Sequence, residues 1–488
     1  MGRRGRLLTA IVATLGVTAG LAVAGSGVHP PSVDSAAAAG RPNVIVIETD
    51  DQTLESMKVM QNVNSLIGDQ GATFDNSLLN FSLCCPSRAT FLTGQYAHNH
   101  GVWSNQAPNG GFQRFESLHG TNNLAVWLHR AGYFTAMIGK YLNQYKNQPA
   151  IPAGWSEWHA TAPYDQRVYN YPINNNGTLT QFGQDPDDFK DDVLTRKAVE
   201  FVNRRATQPA PFFLWLTYTA PHVGGPPNPN PPQDCKDAAK SAPRDANAFD
   251  DAKLPKPPNF NEADVSDKPQ TIRKLPRLTN QQVGNIQRKY RCELESLLAV
   301  DVGVRKVVNA LKAKGALGNT LLVYTSDNGF FHGEHRIPGD KQRPYEESIR
   351  VPLEMRGPGI PQGVTISPLV VNADLAPTIV DAANATPSLT MDGLSLLPVV
   401  RHPAMDRNRE LLVEEPTYKA IRTPRYMYVE YNTGERELYD LQNDPYELQS
   451  LHNSPAYASV RQTLKTRLHN LENCAGASCR VFQPDPTP

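Results

Sequence analysis

The 488-residue chain has no net charge, since 48 lysines and arginines balance 48 aspartates and glutamates. It has no acidic or basic tail either. Nothing global points to a nucleic-acid partner, so any anionic substrate must be held by locally placed charges. Long apolar runs are missing after the first 24 residues, and internal repeats are absent. The single long run, Leu7 to Ala24, follows Arg3, Arg4 and Arg6 and closes on Ala22-Val23-Ala24. That is the pattern of a removed signal peptide (residues 1–24) rather than a membrane anchor. Residues 25–40, rich in Ala, Ser, Gly and Pro, read as a disordered spacer. The expectation is a secreted or otherwise extracytoplasmic protein with no stable membrane insertion.

Cysteine is scarce, with only Cys84, Cys85, Cys235, Cys292, Cys474 and Cys479. Export favours disulfides. Cys474 and Cys479 flank a short loop and make an easy pair, and Cys235 and Cys292 bracket a proline-rich stretch and make the next most natural one. That leaves Cys84 and Cys85 side by side. A disulfide between sequence neighbours is strained and rare, so one of these thiols needs another role.

What is present describes a large α/β domain with an appendage, or two to three domains by length. Apolar runs that end in polar residues recur at Asn43–Asp51, Tyr133–Lys140, Pro211–His222, Thr320–Gly329 and Val351–Gly359, as buried parallel strands do. Helical patterns alternate with them. The clearest places Leu294, Leu297, Leu298, Asp301, Val304, Val308 and Leu311 on one face and stops at Gly315. A mostly parallel or mixed sheet sandwiched by helices follows. Residues 41–405 are expected to form this catalytic domain, interrupted at 224–278 by a proline-rich surface excursion whose Arg273, Lys274 and Arg277 read as a solvated face. Residues 406–488 carry a strand-turn-strand signal and a final helix, which is a small α+β subdomain.

Ligands of such sheets bind beyond the carboxyl ends of the strands. There the sequence places Asp50-Asp51, Lys140, His222 and Asp327-Asn328. Singly these are ordinary, since an Asp after a strand is more often a helix cap and a lone His more often structural. Together they make the ordinary reading poor. Asp50, Asp51, Asp327 and Asn328 offer only oxygen, the donor set of Ca²⁺ or Mg²⁺ rather than zinc. Cys84 is expected just ahead of a helix that has Pro86 near its first position, with an anion favoured beside residue 84 and Arg88 one turn on. A thiol there could be a low-pKa nucleophile, but carboxylates and a hard cation are an odd setting for one.

The stretch "CCPSRATFLTG" (residues 84–94) fits C-x-P-S-R-x-x-x-L-T-G at every specified position and so resembles the signature of the sulfatase family. "ETDDQ" and "TSDNG" resemble that family's metal-ligand motifs. "GKYLN", "APH" and "DKQRPYEESIRVPLEMRGPGI" resemble its sulfate-holding motifs, and "ELYDLQNDPYELQSL" resembles its C-terminal subdomain motif. The similarity runs from about Asn43 to Leu451. It implies an alkaline-phosphatase-like fold and a sulfuric ester hydrolase. It assigns Cys84 as the residue that a formylglycine-generating enzyme oxidises to formylglycine before folding, with Cys85 as the variable neighbour.

Carried over residue by residue, the resemblance has Asp50, Asp51, Asp327, Asn328 and the modified Cys84 bind Ca²⁺ or, second, Mg²⁺. Arg88 and Lys140 position the hydrated aldehyde, and His222 and Lys341 contact the sulfate and its leaving oxygen. One hydroxyl of the hydrate attacks sulfur with Asp327 as base, and the other later expels sulfate. Leu142 stands where many arylsulfatases have a histidine, so His222 or Lys341 carries more of the leaving-group task. The combination of CCPSR, "YAHNH", "GKYLN" and "FNEADVSDKP" resembles N-acetylglucosamine-6-sulfatases and glucosaminyl 6-O-endosulfatases. It implies a sulfated-glycan substrate, 6-O-sulfated glucosamine first, with His98 and His100 lining the sugar pocket. An arylsulfatase, a phosphate or phosphonate monoester hydrolase on the same fold, and a non-catalytic sulfated-glycan-binding protein with unmodified Cys84 are the alternatives.

Overall fold

A computed structural model describes residues 40–146, 150–161, 166–224, 235–405 and 408–488. The expected signal peptide, the spacer up to residue 39 and residues 225–234 of the excursion lie outside the described residues. Among the described residues, twelve strands precede the C-terminal region. They are β1 (Asn43–Asp50), β2 (Ala72–Phe74), β3 (Ser77–Leu78), β4 (Phe134–Gly139), β5 (Glu157–Thr161), β6 (Pro172–Asn175), β7 (Thr178–Gln181), β8 (Phe212–Pro221), β9 (Thr320–Ser326), β10 (Leu353–Arg356), β11 (Val364–Ile366) and β12 (Val370–Val371). β3 pairs with β12, and the others form one sheet in the order β11-β2-β10-β9-β1-β8-β4-β5-β6-β7.

The central strands β9, β1, β8, β4 and β5 run parallel. Successive side chains enter two different cores. Val44, Val46, Met137, Phe213 and Trp215 face one, while Ile45, Ile47, Ile138, Leu214 and Leu216 face the other. Both faces are covered, so these strands read as continuous apolar runs rather than alternating ones. The first core is closed by the signature helix Cys84–Thr93 with Leu124–Arg130 and Leu375–Ala383. The second is closed by Lys190–Arg205 and the 34-residue helix Asn280–Ala313. Thr279 and Gln282 form a capping box at the start of that long helix, and Gly315 in the left-handed region (φ 67) follows its end. Asp301, on its apolar face, accepts from the backbone of Asn62 and Val63 at 2.9 and 3.0 Å.

Two sequence expectations are corrected. The run Val351–Gly359 does contain a strand, β10, but it pairs antiparallel with β9. The connection between them holds only the four-residue helix Glu346–Ile349, not the long covering helix that usually carries a parallel crossover. The excursion is also more than surface. Asn259 and Lys268 have no exposed area, and Leu254, Val265 and Ile272 are buried. Arg273 reaches Glu435 in the C-terminal region at 3.1 Å.

That region is an antiparallel sheet, β13 (Leu411–Glu415), β14 (Tyr418–Arg422), β15 (Tyr426–Tyr431) and β16 (Arg436–Asp440). Helix Ala458–Leu471 packs Val460, Leu464, Leu468 and Leu471 against it. Arg409 grips Asp374 of the larger part with both terminal nitrogens (2.5 and 2.9 Å) out of solvent. Both expected disulfides, Cys235–Cys292 and Cys474–Cys479, are formed.

His332 lies 2.5 Å from Glu293. Burial opposes its charge, but Glu293 outweighs that and raises the imidazolium to about 9. A histidine raised in the folded state stabilises below its unfolded pKa near 6.5 and loses that contribution as pH climbs through the folded value. The difference in melting temperature between wild type and His332→Gln is therefore expected to be largest near pH 6 and to shrink above pH 9. A difference that stays constant across that range would contradict the pairing.

Candidate active site

The parallel pairing sets the site. Thr49 of β1 is in register with Ser326 of β9, so Asp50-Asp51 and Asp327-Asn328 leave adjacent strand ends together. Asp51 adopts the left-handed conformation (φ 67), which costs a non-glycine residue on the order of 1 kcal/mol and persists where surrounding structure fixes it. β4 contributes Lys140 through a turn that needs glycine before it. A Cβ on Gly139 (φ 115) would fall 1.8 Å from the carbonyl oxygen of Thr217. The Lys140 carbonyl in turn accepts from Thr217 Oγ1 (2.6 Å) and Arg88 Nη1 (2.7 Å). Leu83, not Cys84, caps the signature helix, so Cys84 is its first residue and Pro86 its third.

Lys140 Nζ lies 2.5 Å from Asp50 Oδ2 and 3.8 Å from Asp327 Oδ2. Arg88 Nε donates to Asp327 Oδ2 at 2.8 Å. Lys341 Nζ pairs with Asp51 and stands 3.2 Å from Cys84 Sγ, and that sulfur is 3.5 Å from Asp50 Oδ1. His222 Nε2 is 3.6 Å from Asp51 Oδ2, while its Nδ1 faces the Val223 carbonyl (3.0 Å) and Gln166 Nε2 (3.2 Å). Ligand atoms of Asp50, Asp51, Cys84 and His222 all fall within 4.8 Å of one another. The structure thus gathers Asp50, Asp51, Cys84, Arg88, Lys140, His222, Asp327, Asn328 and Lys341.

Charge in the cluster follows from burial and from its neighbours. Burial alone would raise the Asp50 carboxyl, but Lys140, then His222, Lys341 and Arg88, hold it well below the usual range. Burial, with Asp50 beside it, raises Asp327. Burial would lower Arg88, and Glu48 and Asp327 more than offset that, keeping it charged. The Cys84 thiol is pushed up to about 12, chiefly by burial and then by Asp50. Both causes favour the protonated thiol, against the low-pKa nucleophile that the sequence left open.

His100 is not brought to the site. It has no exposed area, its Nε2 meets Thr90 Oγ1 at 3.0 Å, and its Nδ1 accepts from the Val102 backbone at 3.1 Å. Burial lowers it to about 3, so it is a neutral core histidine. His98 bridges Glu414 (2.8 Å) and the Cys474 carbonyl (2.7 Å), tying the signature region to the C-terminal sheet. Two residues that sequence reasoning passed over complete the site. Glu48 on β1 is pushed up to about 7 by burial; it accepts from Trp215 Nε1 at 2.7 Å and lies 3.7 Å from Arg88 Nε. The Arg88 guanidinium lies over the Trp215 ring, 5.8 Å from its centroid. The one signal for Glu48 was an acid inside an otherwise apolar run.

Whether a metal fits can be read from Asn328. Its Nδ2 donates to Asp51 while its Oδ1 is buried with no hydrogen-bond partner, and with Asp50, Asp51 and Asp327 it makes up a set of oxygen-bearing side chains that suits a hard divalent cation.

The family profile described as Sulfatase matches residues 42–385, most of the chain. The chain belongs to the sulfatase family. A second profile, N-sulphoglucosamine sulphohydrolase C-terminal, matches residues 333–474 of this sulfatase. It is 33% identical to the N-acetylglucosamine-6-sulfatase of Homo sapiens over 505 residues, covering 92% of this chain and 88% of that protein. It is 35% identical to the extracellular sulfatase SULF-1 homolog of Drosophila melanogaster over 376 residues, 76% of this chain but only 32% of that protein. Among solved structures, one in complex with its substrate D-glucosamine-2-N,6-O-disulfate superposes with a TM-score of 0.74 at 27% identity, covering 89% of this chain and 98% of the other. The sulfatase is accordingly a sulfuric ester hydrolase, and its family generally uses a formylglycine and a divalent metal. Among the described residues, no helix is long and apolar enough to cross a membrane.

Proposed function

We propose that this sulfatase hydrolyses sulfate monoesters of glycans, with the 6-O-sulfate of glucosamine as its first substrate, using a formylglycine made from Cys84 and one Ca²⁺, or secondly Mg²⁺, ion. The observation that carries the reading is the meeting of Cys84 with Asp50, Lys140 and Lys341 at the sheet edge. The substrate class draws support from the name of the human relative and from the ligand of the solved neighbour. Export, and activation by a formylglycine-generating enzyme, belong to the same proposal.

When present, formylglycine would supply, once hydrated by water, two hydroxyls on one carbon, one to attack sulfur and one to release sulfate afterwards. A Ca²⁺ ion held by Asp50, Asp51, Asp327 and Asn328 would supply positive charge for the sulfate oxygens. This chain's own residues do the rest. Lys140, tied to Asp50, and Lys341, beside residue 84, fix the nucleophile and bring cationic charge to the anion. Asp327, raised by burial and oriented by Arg88, holds the carboxylate that takes the attacking proton. His222 Nε2 is the group closest in type to a leaving-oxygen acid, since Leu142 is packed in the core.

Peptide mass spectrometry of protein from the native host is expected to find an aldehyde at residue 84, and an unmodified thiol there would overturn the enzyme mechanism. In a substrate panel, glucosamine 6-sulfate is expected to be turned over more efficiently than aryl sulfates or matched phosphate monoesters. Activity confined to aryl or alkyl sulfates would overturn the glycan assignment. Exhaustive chelation is expected to remove one divalent ion per chain, read by elemental analysis, and to abolish turnover until Ca²⁺ is restored. Asn328→Ala is expected to weaken that ion's retention by about 10- to 100-fold.

A further inference from the structure

Beside the reactive residue runs a groove of about 440 Å³ whose lining includes Leu83, Trp103, Asn105, Gln106, Gln342 and Pro416. Its walls meet the catalytic cluster on two sides. Leu83 directly precedes Cys84, and Asn105 Oδ1 accepts from the Cys85 backbone at 2.9 Å. Gln342 directly follows Lys341 and is held in the left-handed region (φ 66). Cys84 and Lys341 are thus chain neighbours of residues that line the groove, which places it beside the reactive position.

The groove's chemistry is specific. The chain has five tryptophans, and Trp127, Trp155, Trp158 and Trp215 are all buried, whereas Trp103 is partly exposed. The indole is braced, with the Lys419 ammonium over the ring at 4.8 Å from its centroid while pairing with Glu414. The groove lining beside Trp103 carries amides rather than charges. Asn105, Gln106 and Gln342 offer donors and acceptors together, and none of the six lining residues named above is ionisable. A flat apolar ring beside neutral hydrogen-bonding groups fits a ring that is apolar on its faces and rich in hydroxyls at its edge.

We propose that this groove is a binding subsite for a pyranose ring of the glycan, with Trp103 as its platform and Gln342 and Asn105 as edge contacts. The subsite rests on the glycan reading above and adds to it the residues that recognise the sugar beyond the sulfate.

The test compares wild type and Trp103→Ala on a 6-O-sulfated N-acetylglucosamine disaccharide and on 4-nitrophenyl sulfate. KM for the disaccharide is expected to rise at least about tenfold more than KM for the aryl ester. An equal change on both substrates, with wild-type turnover of the disaccharide intact, overturns the subsite and leaves the glycan reading standing. The second measurement uses unaltered protein and the sulfate-free disaccharide product. Trp103 is the tryptophan open to acrylamide, so the product is expected to reduce quenching, and no reduction at saturating product overturns the proposal. Wild type that cleaves only the aryl ester yet shows this protection sinks the glycan reading and keeps the subsite.

Discussion

Cys84→Ala is expected to abolish turnover, with a loss of roughly 10⁴-fold or more, as when a covalent nucleophile is removed from a preorganised site. The fold is expected to survive. Cys84 is buried and contributes one sulfur to the site, and Arg88, Lys140 and the carboxylates keep their mutual pairs without it. Cys85 provides the internal control. It too is fully buried and pushed up to about 12 by burial, but it lies near backbone groups of Gly111 and Asn143 rather than the carboxylates. Cys85→Ser keeps the size and can hydrogen-bond the same backbone, so it should retain much of the activity. Turnover by Cys84→Ala near the wild-type rate, with melting temperature unchanged, would remove residue 84 from the chemistry.

Arg88→Ala carries the second large expectation, this time on stability as well. The guanidinium is wholly buried against Asp327 and Glu48, and its Nη1 satisfies the carbonyls of Lys140 and Tyr141. Removing one partner from such a cluster leaves carboxylates without compensation, a cost of about 3–5 kcal/mol. A lower melting temperature is expected together with loss of turnover. Arg88→Lys separates the two effects. It returns the charge and part of the stability, but a single ammonium cannot bond Asp327 and the Lys140 carbonyl in the fork geometry of arginine. Its turnover is expected to stay low while its melting temperature recovers in part. An alanine variant as stable as wild type would mean that Glu48 and Asp327 are not held by Arg88.

The site was legible where chemistry and local pattern coincide. Asp50-Asp51, Lys140, His222 and Asp327-Asn328 each end an apolar run, and strand ends on one edge of a parallel sheet are near one another by construction. Strand direction was not legible, because an apolar run such as that of β10 has the same pattern whichever way it lies. The two histidines of "YAHNH" show another limit. A histidine close in sequence to a reactive residue can point into a core, as His100 does, and only packing decides between the two. Glu48 was hidden because its partners Trp215 and Arg88 are 167 and 40 residues away along the chain, brought near by the pairing of β1 with β8 and by the packing of the signature helix rather than by spacing. The left-handed backbone of Asp51 and Gln342 was hidden for a different reason: it has no signature in the side chain itself.

Cys84 has no exposed surface once the chain has folded. On the proposed modification, each molecule therefore keeps for its lifetime whichever chemical form residue 84 had when the core closed over it. A purified batch is then a frozen mixture of two species rather than one enzyme of intermediate quality. Apparent kcat scales with the converted share and differs from one host to another, while KM, which belongs to the converted molecules alone, stays the same across batches.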